Sequence, residues 1–81
     1  AYNNRGNVRA DQGDLAGAVA DYTRAIDLAP GLWQPWGKRG VALARLGRMD
    51  EAEASFERAL ELAPPSMRPQ VEAARRQAMG R

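Results

Sequence analysis

The chain contains neither cysteine nor histidine. Without cysteine there is no disulfide to staple a small fold, and no thiolate nucleophile or metal ligand. Without histidine it lacks the commonest general base and the commonest metal ligand. Ser55, Ser66 and Thr23 therefore have no imidazole to activate them. No catalytic residue, metal site or cofactor is expected. No apolar run approaches the roughly 20 residues that a membrane-spanning helix needs. The opening Tyr2-Asn3-Asn4-Arg5 has no apolar core of the kind a signal peptide carries. The expectation is a cytoplasmic chain with no membrane insertion. A net charge of +2 over 81 residues is too small to argue for nucleic acid by itself. That length holds one small domain at most.

What the sequence does have is a repeat. Trp36, Gly40, Gly47, Ala52, Phe56, Ala59 and Pro64 fall thirty-four residues after Tyr2, Gly6, Gly13, Ala18, Tyr22, Ala25 and Pro30. Leu28-Ala29-Pro30 recurs literally as Leu62-Ala63-Pro64. A fixed period in this range is the mark of stacked helical hairpins. Residues 1–32 form one copy, 33–66 a second, and 67–81 a shorter tail.

Within the first copy, residues 1–12 are expected to be helical with a weak apolar stripe. Arg9 stands there where the second copy has Leu43. Gly13 suits the left-handed residue that ends a helix, and Asp14 suits the cap of the next. Residues 15–29 place Ala18, Tyr22, Ala25, Ile26 and Ala29 on one face. Asp21, Arg24 and Asp27 fall outside it and read as weak surface ion pairs. Pro30 ends the helix because it has no amide hydrogen.

The third helix, 33–46, turns Trp36, Gly40, Leu43 and Ala44 inward. A glycine inside a helix costs about 1 kcal/mol relative to alanine. Gly40 is best explained by the close approach of a neighbouring helix bearing Ala52 and Phe56. Trp33 lies outside this stripe and is expected to pack on the preceding helix. Asp50, Glu51 and Glu53 open the fourth helix, where negative charge suits the amino-terminal dipole. The carboxylates Glu57 and Glu61 continue on a solvated face. Pro64-Pro65 closes that helix, and Ser66 is expected to cap a fifth from about 67 to 79. Tyr2, Tyr22, Trp36 and Phe56 are the expected aromatic core.

Trp36, Gly40, Leu43, Gly47, Ala52, Phe56, Ala59 and Pro64 together resemble a tetratricopeptide repeat. Tyr2, Gly6, Gly13, Ala18, Tyr22, Ala25 and Pro30 resemble a second, weaker one. The resemblance implies an all-α, right-handed superhelix of two antiparallel hairpins plus a capping helix, as one part of a longer repeat array. Members are mostly non-catalytic modules whose concave groove holds a peptide or a partner's segment. By that resemblance the groove residues here are Asn3, Asn4, Asn7, Asp11, Gln34, Lys38, Val41 and Arg45, with Arg68 and Arg75 on the capping helix. Helical geometry agrees in part: Asn4, Asn7 and Asp11 share a face, as do Gln34, Lys38, Val41 and Arg45.

Two readings of these residues stay open. The asparagines suit main-chain recognition of an extended peptide, or they mark a solvated first helix. The cations suit an acidic ligand, or they form an ordinary charged face. A subfamily that clamps acidic peptide termini is matched only incompletely: Asn4 fits, but Lys38 and Gln34 replace other residues of the clamp. The expected partner is therefore a protein or peptide, with no nucleic acid. The alternative is a scaffold that assembles through the ends of its stack, with a second copy or with further repeats.

Overall fold

Five helices stand where the periodicity places them. The structure is a computed structural model and describes residues 2–80. Its elements are α1 (Tyr2–Asp11), α2 (Leu15–Leu28), α3 (Trp33–Arg45), α4 (Met49–Leu62) and α5 (Arg68–Met79). There is no strand among the described residues. The start of the first helix expected at position 1 lies outside them.

Each hairpin turns on one glycine. Gly13 and Gly47 both hold φ at 83°, a left-handed conformation that residues with a Cβ avoid. Around each, the same two hydrogen bonds close the helix end. Gly13 N–H donates to the Ala10 carbonyl and Asp14 N–H to that of Arg9; Gly47 and Arg48 do the same to Ala44 and Leu43. This paired closure satisfies carbonyls that the helix end would leave unpaired. Asp14 then caps α2, its Oδ1 accepting from Gly17 N–H at 3.0 Å.

Packing inside each hairpin depends on a ring lying against backbone. A Cβ placed on Gly40 would come within 2.9 Å of the Phe56 ring, and one on Gly6 within 2.7 Å of the Tyr22 ring. Phe56, Ala52 and Ala59 are fully buried in the second hairpin, together with Leu43, Ala44 and Val71 of α5. Ala18 and Tyr22 of α2 bury against Ala42 of α3 and join the hairpins. The tail helix α5 packs on both α3 and α4. α1 and α3 touch only briefly, so a cleft opens between them.

Four expectations are corrected. Asp21 is no surface residue but fully buried, because three arginines close over it. Ser66 does not cap α5: Met67 holds the cap position without a side-chain bond. A turn in which Met67 N–H reaches the Pro64 carbonyl delays the helix start. Trp33, expected on the preceding helix, packs against the core cluster that includes Val71, beside α5. Tyr22 and Phe56 are buried, but Tyr2 and Trp36 are only half-buried. Each of those two lies under an arginine one turn on, with Arg5 5.9 Å from the Tyr2 ring centre and Arg39 4.7 Å from that of Trp36.

The close approach sets a direct expectation. Gly40→Val forces the Phe56 ring off its seat and destabilises the fold by about 1–3 kcal/mol. Thermal denaturation checks it: an unchanged melting temperature would exclude this packing.

Candidate binding groove

Glycine and alanine on the packed faces leave the outer edges of α1 and α3 free to line the cleft between them. A cavity of about 380 Å³ forms there. Asn7 and Asp11 reach it from α1, Tyr22 from α2, and Lys38, Val41 and Arg45 from α3. A second cavity of about 200 Å³ lies between α3 and α5, lined by Trp33, Gln34, Gly37, Lys38, Val41, Gln70, Val71 and Ala74. Lys38 and Val41 belong to both, so they form a ridge between a polar compartment and a largely apolar one.

The polar compartment is rich in donors. The Tyr22 hydroxyl donates to Asn7 Oδ1 at 2.7 Å. That bond uses one lone pair of the amide oxygen and leaves both hydrogens of the Asn7 NH₂ to donate. Lys38 and Arg45 are exposed cations on the facing helix. Asp11 is the carboxylate among the lining residues. Burial pushes the Tyr22 hydroxyl above its usual value; Asp11 pushes it further and Arg45 opposes that. Both charges therefore act on the groove floor.

The sequence-expected residues divide into three sets. Asn7, Asp11, Lys38, Val41 and Arg45 come together around the first cavity, and Gln34 joins Lys38 and Val41 at the second. Asn3 and Asn4 line neither: Asn4 is exposed, and Asn3 holds its Oδ1 buried without a hydrogen-bond partner among the described residues. Arg68 and Arg75 are engaged with α4. The Arg68 Nε donates to the Leu60 carbonyl at 3.1 Å, and Arg75 pairs with Glu53.

Helix α5 is thus turned relative to the expectation, with Gln70, Val71 and Ala74 toward α3 in place of the two arginines. Val71 and Ala74 are what sequence reasoning missed at the groove. A signal existed: Val71 and Ala74 lie on the apolar stripe of the tail helix.

No group of three or more potential metal-ligating side chains occurs among the described residues. Among the described residues no helix is long and apolar enough to cross a membrane.

Two stacked hairpins of this period, each with a ring seated on a glycine, define a helical-repeat protein. A family model described as tetratricopeptide repeat matches residues 3–66, and the chain belongs to that family. No curated protein and no solved structure matches it. Tetratricopeptide repeats generally mediate protein–protein interaction and are generally non-catalytic.

The Tyr22 hydroxyl gives a pH prediction. Its pKa is raised in the fold above the ordinary 10.0. Stability from the neutral hydroxyl is therefore complete below that value and is lost as pH rises through the folded pKa. Tyr22→Phe, the residue type found in the second repeat, removes that alkaline loss. Denaturant melts of both proteins across this pH range measure it; parallel pH profiles would contradict it.

Proposed function

We propose that the chain is a peptide-recognition module whose groove takes an extended segment bearing an acidic group beside an apolar one. The observation that carries this reading is the convergence of the Asn7 NH₂, Lys38 and Arg45 on one cavity, against a single carboxylate, Asp11. Such donors suit main-chain carbonyls and carboxylates. The adjoining compartment, walled by Trp33, Val71 and Ala74, suits an apolar side chain of the same segment. Lys38 sits between the two compartments, so it reads the spacing of acid and anchor. Gln34 at the edge adds a donor and an acceptor for the ligand backbone.

Asn3, Asn4, Arg68 and Arg75 contribute less in this reading. Asn4 extends the exposed rim of α1. Arg68 and Arg75 keep α5 against α4, and so hold the wall of the apolar compartment in place.

Panning against a library of extended peptides tests the reading. An acidic motif with an apolar neighbour is expected to be enriched. Lys38→Glu with Arg45→Glu weakens binding of that motif on the order of a hundredfold, while the fold survives because both side chains are exposed. Enrichment of uncharged peptides, or binding indifferent to the charge reversal, would overturn it.

A further inference from the structure

A cleft of about 300 Å³ opens where the two hairpins meet, lined by α2, α3 and the start of α4. It shares no lining residue with either groove cavity. Arg39 of α3 is bonded to both of its walls. The Arg39 Nε donates to Ser55 Oγ of α4 and its NH1 to Thr23 Oγ of α2, each at 3.2 Å. The Thr23 hydroxyl donates in turn to the Val19 carbonyl at 2.8 Å, so it meets Arg39 only as an acceptor. The guanidinium also lies 4.7 Å from the centre of the Trp36 ring. Two hydroxyls and a ring thus hold its plane in one place.

Every one of these partners is neutral. No carboxylate lies within ion-pair distance of Arg39 among the described residues. Taking a charge out of water without an opposite charge beside it is costly. Burial accordingly pushes the Arg39 guanidinium below its ordinary range, with Asp27 and Glu51 opposing from farther off. Glu51 is the carboxylate of the cleft, but Arg48 bonds to both of its oxygens. The lining therefore sets two arginines against one glutamate, an excess of one positive charge. Of the five N–H groups of a guanidinium, two go to the hydroxyls, and the others are left to donate. Val19 and Leu43 give the same cleft an apolar side.

We propose that this cleft binds a carboxylate carried on a short apolar stem. The carboxylate takes the remaining N–H groups of Arg39, and the stem lies against Val19 and Leu43. A planar guanidinium matches a planar carboxylate with two parallel hydrogen bonds. Charge selects a single negative charge, because the second charge of a phosphate would face Glu51. Since Arg39 joins α2 to α4, the bound carboxylate neutralises the cation on which the junction of the two hairpins closes. The site is built by α2, α3 and α4 alone and works whether or not the groove is filled.

The test titrates butyrate into the chain, isotope-labelled at arginine, with chloride holding the ionic strength constant. Lys38→Gln and Arg45→Gln are present throughout, so that the groove cations take no part. The Arg39 Nε–H signal is expected to shift along a saturable curve. Glu51 is exposed, so Glu51→Gln keeps the fold; it removes the competing carboxylate and tightens binding about threefold or more. Arg39→Gln, with its fold checked by circular dichroism, weakens binding roughly tenfold or more. The amide of N-acetylglutamic acid then assigns the source. Binding at least as tight as that of butyrate makes the ligand an acidic side chain of a peptide, and its exclusion makes it a free small carboxylate. An Arg39 signal that butyrate leaves unmoved, affinity unchanged by Glu51→Gln, or inorganic phosphate binding as tightly as butyrate would each overturn the proposal.

Discussion

Two contacts between an aromatic ring and bare helix backbone set the geometry of this protein. Tyr22 lies on Gly6 and Phe56 lies on Gly40, each closer than a Cβ would allow. The contact brings the two helices of a hairpin together and fixes which sides of α1 and α3 are left for other uses. The side away from the ring becomes the groove wall. The side toward the neighbouring hairpin becomes the stacking face. With few large apolar residues, the small alanines at 18, 52 and 59, all fully buried, let the backbones approach and substitute close packing for bulk.

The thirty-four-residue translation keeps this contact and changes what surrounds it. Tyr2 and Trp36 both lie under an arginine, and both arginines reach the second helix of their hairpin. At the far end of that reach a neutral hydroxyl, Ser55, is exchanged for a carboxylate, Asp21. The exchange is coupled to Arg9 for Leu43 and draws in Arg24. A buried carboxylate is stable only when paired and hydrogen-bonded, and here three partners from two helices meet that need. The same backbone therefore carries an apolar stacking face in one repeat and a cationic one in the other.

Most of the fold was legible in the sequence because a repeat declares its own register. Gly13 and Gly47 marked the turns, Gly40 marked the close approach, and the stripe of Ala52, Phe56 and Ala59 marked the buried face. The environment of Asp21 was not legible. A charged residue off the apolar stripe reads as solvated, and only the fold shows that Arg5 and Arg9 of another helix cover it. At the groove, Asn7, Lys38 and Arg45 line one cavity; it was the family resemblance, and not helical spacing, that implied α1 and α3 would face each other there. The tail helix misled because it departs from the repeat: Gln70 and Ala74 stand where the aromatic and the glycine would be, so the shift of thirty-four no longer says which face turns inward. Its own apolar stripe was the better guide, since Val71 and Ala74 line the groove while Arg68 and Arg75 hold to α4.

The proposed recognition surface is the cleft that opens because α1 and α3 pack on their partners more than on each other. One measurement tests this most directly: a nuclear magnetic resonance titration with a short acidic peptide, following the side-chain nitrogen signals of Asn7, Lys38 and Arg45 together. All three are expected to shift along one saturable curve, with the backbone signals of Trp33 and Val71 following when the peptide carries an apolar neighbour. Signals that stay fixed while the peptide binds elsewhere, or that shift independently without saturating, would contradict it.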